Sequence, residues 1–290
     1  VTAFDVLDPG PLLLIEDLGR PGSAHLGVPP SGAMDRASLR LANRLVGNAE
    51  GTAALEILAG GARLRARGPH WVAVTGAWGD VRTDGRPLPV DRAVLLPHGA
   101  ILEFPVPDRG LRYYLAVRGG IGGADALGSR STDVLSGIGP DPLLAGDVLV
   151  AGPVPALPVP PIDEAFTGPP LDGLVRLRLR PGPRTDWFAP GSMQALVDGE
   201  WRVSPASNRV GVRLEGEPLR RVRDDELPSE GMVAGALQVP PSGLPTILAA
   251  DHPVTGGYPV IAVLVDADLD ALGQLRPGQP VRFTRATGFA

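Results

Sequence analysis

The sequence predicts a mainly β protein: two barrels or sandwiches in tandem, with a few short helices. Three observations point there. Of 290 residues, 39 are Gly and 33 are Pro. Inside a helix these residues cost about 1 and about 3 kcal/mol, so long helices, coiled coils and helical bundles are excluded. Leu, Ile, Val and Phe together number 82, above the range of disordered chains, so the breakers belong to the turns of a globular protein. Residues 152–170, GPVPALPVPPIDEAFTGPP, hold seven prolines in nineteen positions. Such a run is extended, semi-rigid and buries little. It predicts a connection between an N-terminal domain over residues 1–155 and a C-terminal domain over 171–290.

Short apolar runs punctuated by Gly and Pro read as strands. In chain order they are Trp71–Thr75, Val90–Leu96, Tyr113–Val117, Val148–Val150, Leu174–Leu179, Thr246–Ala250, Val260–Val265 and Val281–Thr284. Leu174–Arg180 alternates apolar and charged residues, the period of a half-solvated strand. Val260–Val265 is apolar throughout and is expected to be buried on both faces. Asp35–Val46 sets Leu39, Ala42, Leu45 and Val46 on one helical face, opposite Arg36, Arg40 and Arg44, and stops at Gly47-Asn48. Shorter helices are expected at Ser192–Leu196 and Asp268–Leu275. Each half ends with a Gly-containing turn into a last strand, a weak sign of duplication.

Two absences constrain the chemistry. The chain has no Cys and no Lys, so all 27 basic residues are Arg. That excludes disulfides, thiolate nucleophiles, zinc-thiolate and iron–sulfur sites, Schiff bases, a phosphate-loop lysine and a biotinylated lysine on this chain. The net charge of −5 and 4% aromatic content speak against nucleic-acid binding. The first residues lack the pattern of a signal peptide. The longest apolar run, Val260–Val265, is far short of a membrane span. A soluble, cytoplasmic protein without a membrane segment is expected.

Four segments depart from the filler of a β protein. Glu16–Asp35 combines two carboxylates, Arg20, His25 and Ser31-Gly-Ala-Met-Asp35 ahead of the helix. A loop entering a helix N-terminus offers amide N–H groups to an anion; equally, Asp35 can be a plain N-cap. The second segment joins Arg118-Gly-Gly-Ile-Gly-Gly to Leu127-Gly-Ser-Arg-Ser-Thr-Asp133. Its main-chain N–H groups with Arg118, Arg130 and Ser131 can cradle a carboxylate or phosphate, or the segment is an ordinary turn. No dinucleotide-binding fingerprint is present. The third, Val203–Gly216, carries Asn208 and Arg209 ahead of a strand, where Arg can grip a carboxylate or be solvated.

The fourth segment, Ser229–Tyr258, holds Glu230, Asp251, His252, Thr255 and Tyr258. His252 is a candidate general base with Asp251 beside it, and Glu230 is a third candidate proton carrier. Neighbours on a strand point to opposite faces, so an Asp–His pair here requires a turn. The four His residues, at 25, 70, 98 and 252, are scattered, and no metal site is expected.

Together these segments resemble the KipA-type proteins, known also as the C subunit of bacterial 5-oxoprolinase, the second subunit of allophanate hydrolase, or biotin-dependent carboxyltransferase subdomain A/B. The resemblance runs over nearly the whole chain. It is carried by Asp17-Leu-Gly-Arg20, Gly27-Val-Pro-Pro-Ser-Gly-Ala-Met-Asp35, Ala42–Asn48, Tyr114–Gly120, Leu127–Asp133, Ser207-Asn-Arg209, Arg213-Leu-Glu-Gly216, Gln238-Val-Pro-Pro241 and Thr255-Gly-Gly-Tyr-Pro259. Glu16, Asn208 and Val254 depart from its pattern. The resemblance implies two tandem cyclophilin-like β-barrel domains.

It also implies partners: a KipI-like protein and a LamB/YcsF-like protein, which would be the other two subunits of the complex. The implied role is one subunit of an ATP-dependent 5-oxoprolinase that opens 5-oxoproline to glutamate, with ATP bound here or on a partner. Biotin enters only under an alternative, a urea-metabolising carboxyltransferase using carboxybiotin carried by another chain. A third alternative is a regulatory binding protein without turnover. On positions matching the family, the chemistry assigns proton transfer to His252, Asp251 and Glu230. It assigns substrate or anion binding to Arg20, Ser31, Asp35, Arg118, Arg130, Ser131, Asn208, Arg209, Thr255 and Tyr258.

Overall fold

The computed structural model describes residues 2–161, 172–223 and 225–286. The chain divides into two compact units, one of residues 1–20 and 31–170 and the other of 21–30 and 171–290. Part of the expected Pro-rich connection, 162–170, lies outside the described residues. Among those described, no helix is long and apolar enough to cross a membrane.

In the first unit the strands are β1 (Thr2–Pro9), β2 (Leu12–Glu16), β3 (Ala54–Leu58), β4 (Ala62–Ala66), β5 (His70–Trp78), β6 (Arg82–Thr83), β7 (Arg86–Pro87), β8 (Ala93–Leu96), β9 (Ile101–Glu103), β10 (Arg109–Val117) and β11 (Val148–Val150). They form a six-stranded sheet, β11-β1-β4-β9-β6-β7, and a five-stranded sheet, β2-β3-β10-β5-β8. Phe4, Val6, Leu64 and Leu102 of the first sheet share one apolar core with Leu13, Leu55, Ile57, Val72, Val74, Tyr113 and Leu115 of the second. β4 shows the logic: Ala62, Leu64 and Ala66 are buried while Arg63 and Arg65 are exposed.

This half is not the closed barrel that the family resemblance implied; of the barrel or sandwich that the composition predicted, it is two stacked open sheets. The five-stranded sheet is buried on both faces. Its outer face carries the small residues Ala54, Ala73 and Ala116, on which helix α1 (Arg36–Leu45) packs through Leu39, Ala42 and Leu45. No strand of one sheet pairs with a strand of the other among the described residues, so the two stack face to face across their shared core. Asp35 caps α1, its Oδ1 accepting from the Ser38 N–H at 2.9 Å. The helix stops where Gly47 turns to φ 71°; the Gly47 and Asn48 N–H groups then reach back to the carbonyls of Arg44 and Asn43.

The second unit is a closed barrel. Its strands are β12 (Val175–Pro181), β13 (Trp201–Val203), β14 (Gly211–Glu215), β16 (Ala236–Gln238), β17 (Thr246–Leu248), β19 (Val260–Leu264) and β20 (Pro280–Arg285), with β15 (Glu230–Gly231) and β18 (Thr255–Gly256) as a separate two-stranded ribbon. Around the barrel the order is β12-β19-β16-β17-β14-β13-β20. Closure comes from β12 running parallel to β20, Val175 opposite Val281 through Leu179 opposite Arg285. The alternation read in β12 holds: Val175, Leu177 and Leu179 point inward with Trp201 and Phe283, and Arg176 and Arg178 point out. Helix α2 (Ser192–Asp198) lies where expected. The helix expected at Asp268–Leu275 is instead a 3-10 helix over Asp266–Gln274. It has no side-chain N-cap, and Gly273 weakens an α-helical ladder there.

Candidate functional site

In the first unit, two of the singled-out segments meet at Asp17. Its Oδ1 accepts from the Gly19 N–H at 2.7 Å and from the Ser129 and Ser131 hydroxyls at 2.6 Å each, and its Oδ2 accepts from the Arg130 N–H at 2.7 Å. Ile15 of β2 accepts from the Thr132 N–H at 3.0 Å. Residues 129–132 are thereby laid along the edge of the five-stranded sheet. Arg20 is buried, donating from Nε to the Ala126 carbonyl at 3.2 Å and from Nη2 to the Ser131 carbonyl. Ser31, at φ 54°, donates to the Thr132 carbonyl at 3.4 Å. A Cβ on Gly32 would lie 2.8 Å from the Gly19 nitrogen, so only glycine lets these turns touch.

Arg20, Ser31, Ser131 and the backbone of Arg130 thus form one cluster, with the Arg130 side chain exposed. The amide cradle expected of the second segment is a correction. The N–H groups of Gly128 and Arg130 go to Asp125 and Asp17, those of Ser129 and Ser131 to Ala126 and Ser129, and those of Thr132 and Asp133 to Ile15 and Ile138. Closing the loop on itself consumes the donors a phosphate would need, so this segment does not fit the phosphates of ATP.

Asp35 and Arg118 stand in other surroundings. The Asp35 N–H donates to the Tyr114 hydroxyl at 2.8 Å, and that hydroxyl donates to Glu56 Oε2 at 2.7 Å. Glu56 also accepts from the Met34 N–H at 3.0 Å and from Arg112 Nε at 3.2 Å, in a network that is buried throughout. Burial, then the charges of Glu56 and Asp35, hold the Tyr114 phenol well above its ordinary value, so it remains a donor. Arg118 donates to the Val46 carbonyl at 2.6 Å, to Pro155 at 3.1 Å and to Leu157. It ties the chain at 155–157 to the carbonyl end of α1, where a cation is favoured.

In the second unit, β14 and β17 are neighbours with Gly211 opposite Leu248. The loops before β14 and after β17 therefore lie at one end of the barrel. Arg209 Nε and Nη2 reach Asp251 Oδ2 and Oδ1 at 2.8 and 2.9 Å, with both side chains buried. The Asp251 N–H donates to the Arg209 carbonyl at 2.9 Å, and the His252 N–H to Ala249 at 3.3 Å. The chain turns at these two residues, with the Asp251 carboxylate engaged by Arg209. His252 is buried, its Nδ1 2.9 Å from the Pro253 carbonyl. Facing an acceptor, Nδ1 carries the proton of the neutral ring, which leaves Nε2 as the basic nitrogen. Asn208 Oδ1 accepts from the Val210 N–H at 2.9 Å and fixes the turn into β14.

The ribbon pairs Glu230 with Gly256 and Gly231 with Thr255, and the Met232 N–H donates to the Val254 carbonyl at 2.8 Å. The fourth segment thus folds back on itself, joining the Glu230 strand to the His252 turn. Arg184 grips Glu230 with Nε at 3.1 Å and with Nη2. Thr255 and Tyr258 are exposed. Among the described residues, no group of three or more His, Asp or Glu side chains could hold a metal ion.

Sequence reasoning missed Asp17, Ser129 and Arg184 as positioning groups, and Glu56 with its network. Serines two apart around Arg130 carried a signal, since period two sets both hydroxyls on one side. So did Glu56, an acid inside the apolar run Ala54–Leu58.

Residues 26–285 match the family described as carboxyltransferase domain, subdomain A and B. The chain is 36% identical over 286 residues to the C subunit of 5-oxoprolinase from Escherichia coli (strain K12), covering 97% of this chain and 91% of that one. It is 35% identical to the protein of the same name from Haemophilus influenzae, covering 90% of it. It is 32% identical to urea amidolyase of Saccharomyces cerevisiae, covering 97% of this chain but 16% of that one. Among solved structures, TTHA0988 superposes with a TM-score of 0.88 at 40% identity, over 98% of this chain and 55% of that one. The Kluyveromyces lactis urea amidolyase superposes with a TM-score of 0.88 at 31% identity, over 99% of this chain and 19% of that one. This chain therefore spans about half of TTHA0988 and a fifth of the yeast enzyme.

Proposed function

Because the chain belongs to the carboxyltransferase domain, subdomain A and B, family, we propose that it is one subunit of an ATP-dependent 5-oxoprolinase. The observation that carries this reading is the two-way coverage: the C subunits of two bacterial 5-oxoprolinases are matched over 91% and 90% of their own length. The urea amidolyases are matched over 16–17% of theirs.

An unactivated lactam resists water. ATP, bound here or on a partner, would supply phosphate as a leaving group on the carbonyl oxygen. What falls to this chain is positioning and proton management. The Arg209–Asp251 pair fixes the turn that carries His252, and His252 Nε2 takes a proton from the attacking water and passes it to the lactam nitrogen as the C–N bond breaks. Glu230, oriented by Arg184, is the second proton carrier. Thr255 and Tyr258, both exposed, contact substrate. Asn208 fixes the turn into β14, and within the first unit Asp35 and Arg118 hold the two ends of α1. The partners are a KipI-like and a LamB/YcsF-like protein in the cytoplasm.

The test mixes this chain with both partners, ATP and 5-oxoproline. Glutamate release that requires every component is the expected result; no turnover in the complete mixture rejects the reading. A second reading, carboxyl transfer to urea from carboxybiotin, draws on the likeness to the urea amidolyases. This chain has no lysine to carry biotin, so the carrier would be another chain. Carboxylation of urea by this chain with carboxybiotin, in place of glutamate release, would favour it. Partner binding without either reaction would favour a regulatory protein.

A further inference from the structure

The ribbon of β15 and β18 carries Glu230 and Thr255, yet it pairs with no strand of the barrel among the described residues. Other contacts must hold it. One tie is the Arg184–Glu230 pair, which is partly exposed. A second is buried. Met232, the residue after β15, clusters with Ala236, Leu248 and Val260 on three neighbouring strands of the barrel. Its sulfur accepts from Gln238 Nε2 at 3.1 Å, and both residues are buried. A Cβ on Gly256 would lie 2.4 Å from that same Nε2 and 3.2 Å from Met232 Cγ. Gly256 follows Thr255 and pairs with Glu230. Its φ lies outside the left-handed region, so glycine is needed here for room and not for backbone freedom. A thioether is a weak acceptor, and an apolar side chain in place of Gln238 would be buried at lower cost. What the carboxamide positions accounts for it better than what it stabilises.

We propose that Gln238 is a positioning residue: its carboxamide, in contact with Met232 and set close against Gly256, fixes the ribbon that carries Glu230 and Thr255. The role rests on the reading above, in which Glu230 carries a proton and Thr255 contacts substrate. Gly256→Ala puts a methyl group where the carboxamide stands and shifts the ribbon. Glutamate release by the three-protein mixture is expected to fall about 10–100-fold in kcat. Gln238→Ala alone loses less, because it opens space without pushing the ribbon away. The double variant Q238A/G256A has room for the methyl group and recovers most of what G256A loses.

Amide exchange, measured on the full chain alone, reports the ribbon directly. The Met232 N–H, held by the Val254 carbonyl at 2.8 Å, is expected to exchange faster in G256A and Q238A than in the parent. The urea midpoint should stay close to the parent's, because the ribbon lies outside the barrel ladder. Should G256A not fold, Q238A decides by the same two readouts. Unchanged exchange in both variants overturns the positioning role. Faster exchange with parental kcat, or a double variant no better than G256A, overturns it as well. A parent mixture that releases no glutamate rejects the 5-oxoprolinase reading instead, and exchange alone then decides whether Gln238 holds the ribbon.

Discussion

Arg209 and Asp251 meet in a two-pronged ion pair at one end of the barrel, Nε to Oδ2 at 2.8 Å and Nη2 to Oδ1 at 2.9 Å, and both side chains are out of solvent. The Asp251 N–H also donates to the Arg209 carbonyl. The two loops are therefore joined through both side chain and main chain, and His252 follows directly from that joint.

Removing one partner of such a pair strands the other as a buried charge, at a cost of about 3–5 kcal/mol. Asp251→Asn is expected to lower the urea midpoint of the chain accordingly. The double variant R209M/D251L, which removes both charges, should recover part of the loss. A midpoint for D251N equal to that of the parent would contradict the pairing.

His252→Gln retains a polar group in the turn and removes the proton carrier. Glutamate formation by the three-protein mixture is expected to fall about 100-fold or more, while co-purification with the partners persists. Unchanged turnover would transfer the role to Glu230, for which Glu230→Gln is the parallel test.

Tyr114→Phe deletes a hydroxyl that donates to Glu56 at 2.7 Å and accepts from the Asp35 N–H at 2.8 Å. Leaving buried polar groups short of a partner costs about 1–3 kcal/mol. The loss should appear as a lower Tm and as faster hydrogen exchange of the Asp35 amide, at the entry to α1.

His70 lies against Phe4, ring centroids 5.5 Å apart, and burial lowers its pKa below the ordinary 6.5. Below 6.5 the unfolded chain takes up a proton that the folded chain resists. Stability therefore falls as pH drops through that value towards the lowered folded one. His70→Phe cannot titrate, so its stability should decline less than the parent's over the same interval. Parallel pH profiles from urea melts would show that another group is responsible.

Local periodicity made part of this fold legible. The apolar stripe of α1 and the alternation in β12 were set by residues within one element, and both were read with their correct faces. Barrel closure was not legible, because Val175 and Val281 are brought together only by the folded barrel. Nor was the open stack of the first unit, which depends on α1 finding Ala54, Ala73 and Ala116 on strands far apart in sequence. At the candidate site, residue types pointed to Asp251, His252 and Arg209, and the turn that joins them follows from neighbouring strands. The destination of each main-chain N–H could not be read from composition. The Leu127–Asp133 loop has the glycines and hydroxyls of an anion cradle, yet Asp17, more than a hundred residues away in sequence, takes its donors.

The parallel seam between β12 and β20 bears on how the second unit is made. Its first barrel strand finds one neighbour only in its last, so during synthesis the barrel stays unsealed until Pro280–Arg285 has left the ribosome. Until then the flanks of β12 and β13 are bare ladder edges, open to strands of other chains. A nascent chain stalled before β20 is thus an aggregation hazard that the finished barrel is not.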